Sequence, residues 1–470
     1  MAANAPNDRL ARLMEEAGFE SHKSFARAVM AESRQAGDPL RRCDHTYVAR
    51  WLEGRTPQGK TPLYIVAALS RALRRQVTPA DIGMPLAGQL PVIDLGLAYP
   101  DTSADAAGTV ALLWTADLAE ATVLRRGRID PAAWNEASLR WLVDPGRPPG
   151  VQLVRGTHVG MADIERFRAT VDVFVQLDNR FGGGHARHTL IQYLSADGGR
   201  LLRGQYTEPV GRALFSAVAE ATLLAAWMTY DSSPSDGLAQ RYFVQALALA
   251  QAAGDRLLGA TILDAMSHQA TYIGRFAEAA NLARAARSGT RGLATPTLTA
   301  HFHTMEARAL ARLGDARACD AALADAIREF ERRNPDDDPL WIRYFNEAEL
   351  AAEFGHCFRD LGRAVDASQH ASQSLAAIDE TTFLRSDFFA TIVLADAHLA
   401  AGHLEQACSV ALKALTAGEQ IRSARCVNYL REFGQRLTNV GECAVVTEFR
   451  AQADDSRLWR IASRMDTQAA

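Results

Sequence analysis

The sequence has no apolar run of the roughly 18 residues that a membrane-spanning helix needs, and its opening, MAANAPNDRL, lacks the charged-then-apolar plan of a secretory leader. These absences predict a cytoplasmic protein without membrane contact. The six cysteines (Cys43, Cys319, Cys357, Cys408, Cys426 and Cys443) include no CxxC pair and have no histidines at zinc-ligand spacing. Neither a disulfide framework nor a structural metal is expected, and the thiols are read as reduced, mostly core-packing groups. Runs of β-branched residues are scarce, which argues against a sheet. There is no nucleophile beside a base, no paired carboxylates in a cleft-forming motif and no cofactor fingerprint, so neither an enzyme nor a bound cofactor is expected.

What is present in quantity is alanine, above all in the second half, and this favours helix. With 470 residues the chain has room for two or three domains. Charge divides unevenly: residues 1–85 carry a net +4, while the whole chain carries −4. A basic head on an acidic body suits a head that meets phosphates, although +4 is a modest excess.

The head, residues 1–85, reads as five short helices. Asp8 to Ala17 places Leu10, Leu13 and Met14 on one side, with Gly18 as the stop. A second helix follows Ser21 with Phe25, Ala26 and Val29 inward. A third is capped by Asp44, runs HTYVARWLEG and buries Val48, Trp51 and Leu52. A fourth starts at Thr61-Pro62 and turns Leu63, Ile65, Val66, Leu69 and Leu73 inward, and Thr78-Pro79-Ala80-Asp81 starts a short fifth.

The middle, residues 86–205, is punctuated by proline and glycine. LPVIDLGLAYP reads as a linker or isolated strand, and DTSADAAGTV as a polar loop before a helix carrying ALLWTADLAEATVL. A helix from Pro131 is expected to bury Trp134, Leu139, Trp141 and Leu142, with PGRPPG as a break. A long helix then turns Ile164, Phe167, Val171, Phe174 and Leu177 to one side and ends in a glycine turn, Gly182 to Gly184. No strand precedes those glycines and no Lys-Ser/Thr follows, so a phosphate loop is excluded. His185 and His188 have no third ligand nearby and are not read as a metal site.

From about residue 206 the chain repeats. Gly274, Gly314, Gly362 and Gly402 each close a helix. Five residues on come Ala279, Cys319, Ala367 and Ala407; twelve on come Ala286, Ala326, Ser374 and Ala414; seven before come Ser267, Ala307, Gly355 and Ala395. Small side chains at matching positions let the helices of a hairpin approach closely, the tetratricopeptide pattern, here with longer units. A further hairpin precedes these units, and Glu419 to Ala453 is read as the end cap. The fold class expected is all-α: a lambda-repressor-like helix-turn-helix domain followed by a tetratricopeptide-like α-solenoid over residues 206–470.

The first helix of each pair lines the concave side of such a solenoid. Six residues before each glycine stand His268, Arg308, His356 and Asp396, and near them Tyr272, His301, Arg312, Arg359 and Asp360. Inward arginine and histidine suit a carboxylate or a peptide terminus; charged residues on a solvated face are the plainer reading.

Within the head, SFARAV in the second helix and YVARWLEGR closing the third resemble the Xre/lambda-repressor type of helix-turn-helix domain. In that type the third helix enters the major groove. The resemblance implies that His45, Thr46 and Arg50 read base edges, Arg50 by a bidentate grip on guanine, while Lys23, Ser24, Arg55 and Lys60 touch phosphates. The long insertion MAESRQAGDPLRRC between the second and third helices departs from the type; its Arg41 and Arg42 would clamp phosphates, or the loop would block the groove. The chain as a whole, through NDRLARLMEEAG, LDNRFGGGHAR, GLAQRYFVQALALAQAAGD and AMSHQATYIGRFAEA, resembles large actinobacterial regulators of the NsdA type, Streptomyces repressors of sporulation and antibiotic production. That resemblance implies a repressor acting on double-stranded DNA, with a peptide, metabolite or protein ligand in the repeats and a homodimer for a palindromic site. The alternative is an adaptor whose head no longer binds DNA.

Overall fold

The computed structural model describes residues 6–35, 40, 42–55, 57, 61–73, 77, 81–84, 94–119, 124, 127, 129–144, 157–233, 237–377 and 384–467. Apart from one bridge between His158 and Gln205, the described residues carry no β-pairing, so the chain is all-helical there. It divides into two compact units, residues 1–95 and 96–470.

The first unit holds α1 (Asp8–Glu16), α2 (His22–Gln35), α3 (His45–Leu52) and α4 (Thr61–Leu73). Asn7 caps α1, its side chain accepting from the Leu10 amide, and Asp44 caps α3 through the Thr46 amide at 2.9 Å. Leu10, Leu13, Phe25, Val29, Val48, Trp51, Ile65 and Leu69 form one core, each aliphatic side chain contributing about 1.5–3 kcal/mol by leaving water. Leu52, expected inward, is half-buried. The fifth helix falls partly outside the described residues, and Asp81–Gly83 within it form a turn.

The second unit begins with α5 (Ser103–Leu118), α6 (Pro131–Val143), α7 (Met161–Phe181) and α8 (Arg187–Tyr193), then a π turn at Leu194–Gly198 and α9 (Gly199–Leu202). The polar stretch DTSADAAGTV opens α5 instead of preceding it, because the Thr102 hydroxyl accepts from the Asp105 amide and starts the helix there. On α6, Trp134 and Trp141 are fully buried, but Leu139 and Leu142 are 59% and 38% exposed. The two indoles, seven residues apart, set the buried stripe together with Ala137, and the leucines fall off it.

Helical hairpins follow: α10 (Glu208–Ser232) with α11 (Gly237–Ala253), α12 (Arg256–Tyr272) with α13 (Phe276–Gly289), α14 (Pro296–Leu313) with α15 (Ala316–Glu331), α16 (Glu347–Asp360) with α17 (Ala364–Ala376), and α18 (Leu384–Ala400) with α19 (Leu404–Ala417). Each pair packs on the next in an α-solenoid-like array. Gly274, Gly314, Gly362 and Gly402 all take positive φ at the turns inside these hairpins. The matching small residues are buried at each contact, and the Ser267 hydroxyl donates to the Ala279 carbonyl at 2.8 Å.

Among the described residues one helix, α10, is long and apolar enough to cross a membrane, contrary to expectation; 78% of its apolar stretch is buried within the protein. The cover comes from α11 on one side and α7 on another. The middle segment packs on the repeats too: Gln245 on α11 donates to the carbonyls of Gly96 and Ala98, and Gln240 exchanges hydrogen bonds with the backbone of Asp130.

The last helices are α20 (Ala424–Val440), α21 (Ala444–Ala453) and α22 (Arg457–Thr467). α20 was expected to be part of an end cap. It packs instead against both α18 and α10, so the last turn of the solenoid meets its first helix. The glycine turn after α7 joins the same seam: the Gly184 amide donates to the Arg422 carbonyl at 3.0 Å and the Arg422 amide to the Phe181 carbonyl at 2.7 Å.

Candidate functional site

Two surfaces carry the residues singled out by the sequence. On the head, His45, Thr46 and Arg50 are exposed on α3, opposite buried Val48 and Trp51. The Thr46 hydroxyl donates to the Asp44 carboxylate, and the Arg50 guanidinium lies 5.9 Å from the Tyr47 ring. Hydrogen bonds from Thr46, with Arg42 beside it, hold the Asp44 carboxyl down at about 2. Lys23 and Arg55 are exposed. Ser24 is engaged locally, exchanging hydrogen bonds with Ser21 in the reciprocal manner of a capping box, so only part of its capacity is open to a phosphate. Arg42 is exposed and paired with Asp44 at 3.2 Å. Arg41 and Lys60 lie outside the described residues.

The second surface is the inner side of the solenoid, and there the structure gathers most of the predicted set. Arg308 pairs with Glu353 at 2.7 Å. Arg359 pairs with Asp360 at 2.7 Å and reaches Asp396 at 3.8 Å, and Arg436 meets the same Asp396 carboxylate at 2.7 Å. Tyr230 is fully buried, and among the described residues its hydroxyl has one partner, the Nδ1 of His268 at 3.1 Å; the Tyr429 hydroxyl meets the Nδ1 of His356 at 3.4 Å. The fully buried Tyr230 phenol has that ring nitrogen as its one acceptor among the described residues, so it donates, and His268 carries its proton on Nε2. Burial, with the guanidinium charges of Arg308 and Arg425 in both cases, holds the two imidazoles neutral.

His301 sits further along. Burial pulls its pKa down, but the Asp264 carboxylate, 2.9 Å from its Nδ1, more than offsets this and raises it. Burial and the neighbouring Glu353 push Glu349 up to about 7, and burial takes Asp387 to about 6. Tyr344, whose hydroxyl meets His301, is 40% exposed, yet the protein around it pushes its phenol strongly up.

Arg312 stands apart from this set. It is exposed, with its guanidinium 5.2 Å from the Phe276 ring at the start of α13. Four residues past Arg308 on α14, it has moved beyond the inner face towards the hairpin turn.

Comparison with known families places one match on the head. Residues 10–85 match the family model described as the SP15 N-terminal domain. The match ends ten residues short of the first unit's boundary at Leu95. No curated protein matches the chain.

Sequence reasoning missed several inner-face residues. Trp227 and Tyr230 come from α10, Arg385 and Phe389 from α18, and Arg425 and Tyr429 from α20. Arg425 lies over three rings, at 5.8 Å from Trp227, 4.8 Å from Tyr230 and 5.2 Å from Phe389. A stacked ring of residues from opposite ends of a repeat array leaves no spacing to find. The one available signal was the charge of Arg422, Arg425 and Arg431 on a segment read as the end cap. His185 packs on Phe181 and His188 lies 3.1 Å from Gln192; no group of three or more metal-binding side chains occurs among the described residues.

Proposed function

We propose that this chain is a DNA-binding transcription regulator whose head reads base edges with α3 and whose tetratricopeptide-like superhelix takes a ligand on its inner side. The observation that carries the reading is the exposure of His45, Thr46 and Arg50 along one side of α3, while Val48 and Trp51 anchor the other side in the core. A helix held that way offers its first turns to a groove, which is what a helix-turn-helix reader needs. Exposed Lys23 and Arg55 supply phosphate contacts beside it. The resemblance to the NsdA type adds repression of development and secondary metabolism, and a dimer on a palindromic site.

Binding of the full chain to sheared DNA from its host, with Arg50→Ala alongside, tests this reading. Loss of roughly 1–3 kcal/mol at discrete sites, and much less on random DNA, supports base reading by Arg50. Equal loss on both reduces Arg50 to a phosphate contact. A second reading is favoured by Asp44, whose ionised carboxylate stands at the start of α3, where it repels phosphate. It is an adaptor that binds protein partners and not DNA, and it predicts no salt-dependent DNA affinity at all.

A further inference from the structure

The inner side of the solenoid carries donors with nothing to donate to. Arg425 is 6% exposed, its Nε–H donates to Asp231 at 2.7 Å, and its two terminal nitrogens have no hydrogen-bond partner among the described residues, yet they are not sealed from water. Arg308 is 8% exposed and uses one terminal nitrogen on Glu353, leaving the other open. The His268 Nε2–H is left free by the tyrosine on Nδ1, and the Nε2 of His356, a residue 5% exposed, has no hydrogen-bond partner among the described residues. Arg425 lies 4.8 Å from the Tyr230 ring, whose hydroxyl meets His268, and 5.2 Å from Phe389, whose ring packs on the Tyr429 that meets His356, while Arg308 holds the equivalent position to His268 and His356 on α14, packed between α12 and α16.

Charge decides what kind of acceptor fits. Four of the inner-face guanidinium groups already have carboxylates: Glu353 for Arg308, Asp360 and Asp396 for Arg359, Asp178 and Asp231 for Arg385, and Asp231 for Arg425. A site rich in N–H donors but close to charge balance suits a monoanion held by hydrogen bonds better than a multiply charged phosphate. Half-buried rings stand around the donors: Trp227, Tyr272, Phe389 and Tyr429. Phe389 and Tyr429 have ring centroids 4.7 Å apart, and Tyr272 lies 5.6 Å from Tyr230.

We propose that this inner face binds a ring-bearing carboxylic acid, its carboxylate taken by the free N–H groups of Arg425, Arg308 and His268, with the His356 imidazole beside them. Its ring lies against Trp227 and the neighbouring aromatic side chains. The inference rests on the reading of the inner face as a ligand site, and it names the ligand class. Two guanidinium ends and the neutral His268 imidazole fix the acid group in direction, and the rings reject a bare small anion for want of contact.

The test is titration of the full chain with phenylacetate, indole-3-acetate, acetate and inorganic phosphate, read by thermal shift and by isothermal calorimetry. The aromatic acids should bind at least about tenfold more tightly than acetate, and phosphate should not bind. Arg425→Lys, which keeps the charge but loses the fork, should weaken phenylacetate by about tenfold or more. Trp227→Leu, at a half-buried position without an ion pair, should erase the difference between phenylacetate and acetate, and it decides the matter if Arg425→Lys does not fold. Equal binding of phenylacetate and acetate overturns the proposal, as does undiminished binding in folded Arg425→Lys or in Trp227→Leu. Binding of phosphate alone also overturns it while leaving the inner face a ligand site. No response to any of the four overturns both, and the DNA measurement with Arg50→Ala stands apart from all these outcomes.

Discussion

The Arg425 Nε–H donates to the Asp231 carboxylate at 2.7 Å across 194 positions of sequence. Around that bond Asp231 also accepts from the Gly183 amide at 2.9 Å, the Ser423 hydroxyl at 2.8 Å and Arg385 at 3.2 Å. One fully buried carboxylate thus ties α10, the glycine turn after α7, α18 and α20, and it closes the solenoid on itself. Burial alone would push Asp231 up, but Arg385, Arg425 and the Gly183 amide more than offset it and hold the carboxyl well below its usual range.

Asp231→Asn should therefore cost about 3–5 kcal/mol, because it leaves the buried Arg425 guanidinium without a counter-charge and the half-buried Arg385 with Asp178 alone. Urea unfolding of the second unit within the full chain is the measurement. A loss under about 1 kcal/mol would mean that Asp178, 3.1 Å from Arg385, carries the seam unaided.

Gly183 faces the same seam with its backbone. A Cβ there would stand 2.6 Å from the Met228 carbonyl oxygen and 2.8 Å from its Cα, both backbone atoms that cannot step aside. Gly183→Ala should destabilise by several kcal/mol, whereas Gly274→Ala, in open space at φ +82°, should cost about 1 kcal/mol from the left-handed conformation alone. Thermal melts of the two variants compare them directly, and equal losses would remove the close approach as the reason for glycine at 183.

Local signals were legible and long-range ones were not. The Asp44 cap, the positive-φ glycines and the small residues of each hairpin are properties of a few consecutive turns, and the sequence carries them in fixed spacings. The positions six residues before each glycine followed from the same frame, which is why His268, Arg308, His356 and Asp396 all stand on the first helices of their hairpins, buried or half-buried. Leu139 and Leu142 were misread because two tryptophans on the same helix outweigh them for the buried stripe. Closure could not be read at all: Asp231, Arg385 and Arg425 come from three helices, and an ion network between distant helices leaves no period. The glycines at 182–184 were seen as a turn, and their close approach to α10 and Arg422 depends on that closure.

Glu349 tests the electrostatics of the concave side. Its carboxyl is pushed up to about 7 from a reference of 4.5 by burial and Glu353, against the opposing Ser386 hydroxyl and His301. Between those values the folded state holds a proton that the unfolded state has released, so stability falls as pH rises through this window and the cost is complete above about pH 7. Removing the charge with Glu349→Gln should raise stability by about 1–2 kcal/mol at pH 8, after discounting the full shift for its partial exposure. The gain should vanish near pH 4.5. Chemical unfolding of both proteins across that range measures it, and a gain independent of pH would assign the effect to packing.

Asp44 bears on the DNA reading from the opposite side to Arg50. Its carboxylate caps α3 through the Thr46 amide, and its charge stands where a phosphate or base edge would approach the helix start. Asparagine caps a helix about as well as aspartate but carries no charge. Asp44→Asn should leave the melting temperature nearly unchanged and should release Arg42 from its pair. DNA affinity should then rise severalfold at low salt, with a steeper dependence on salt concentration because one more cation meets the backbone. Fluorescence anisotropy on one duplex at several salt concentrations reads both quantities. If the reader is α3, affinity and salt slope change together. If neither moves while Asp44→Asn stays folded, α3 is not at the DNA, and the adaptor reading gains by the same measurement.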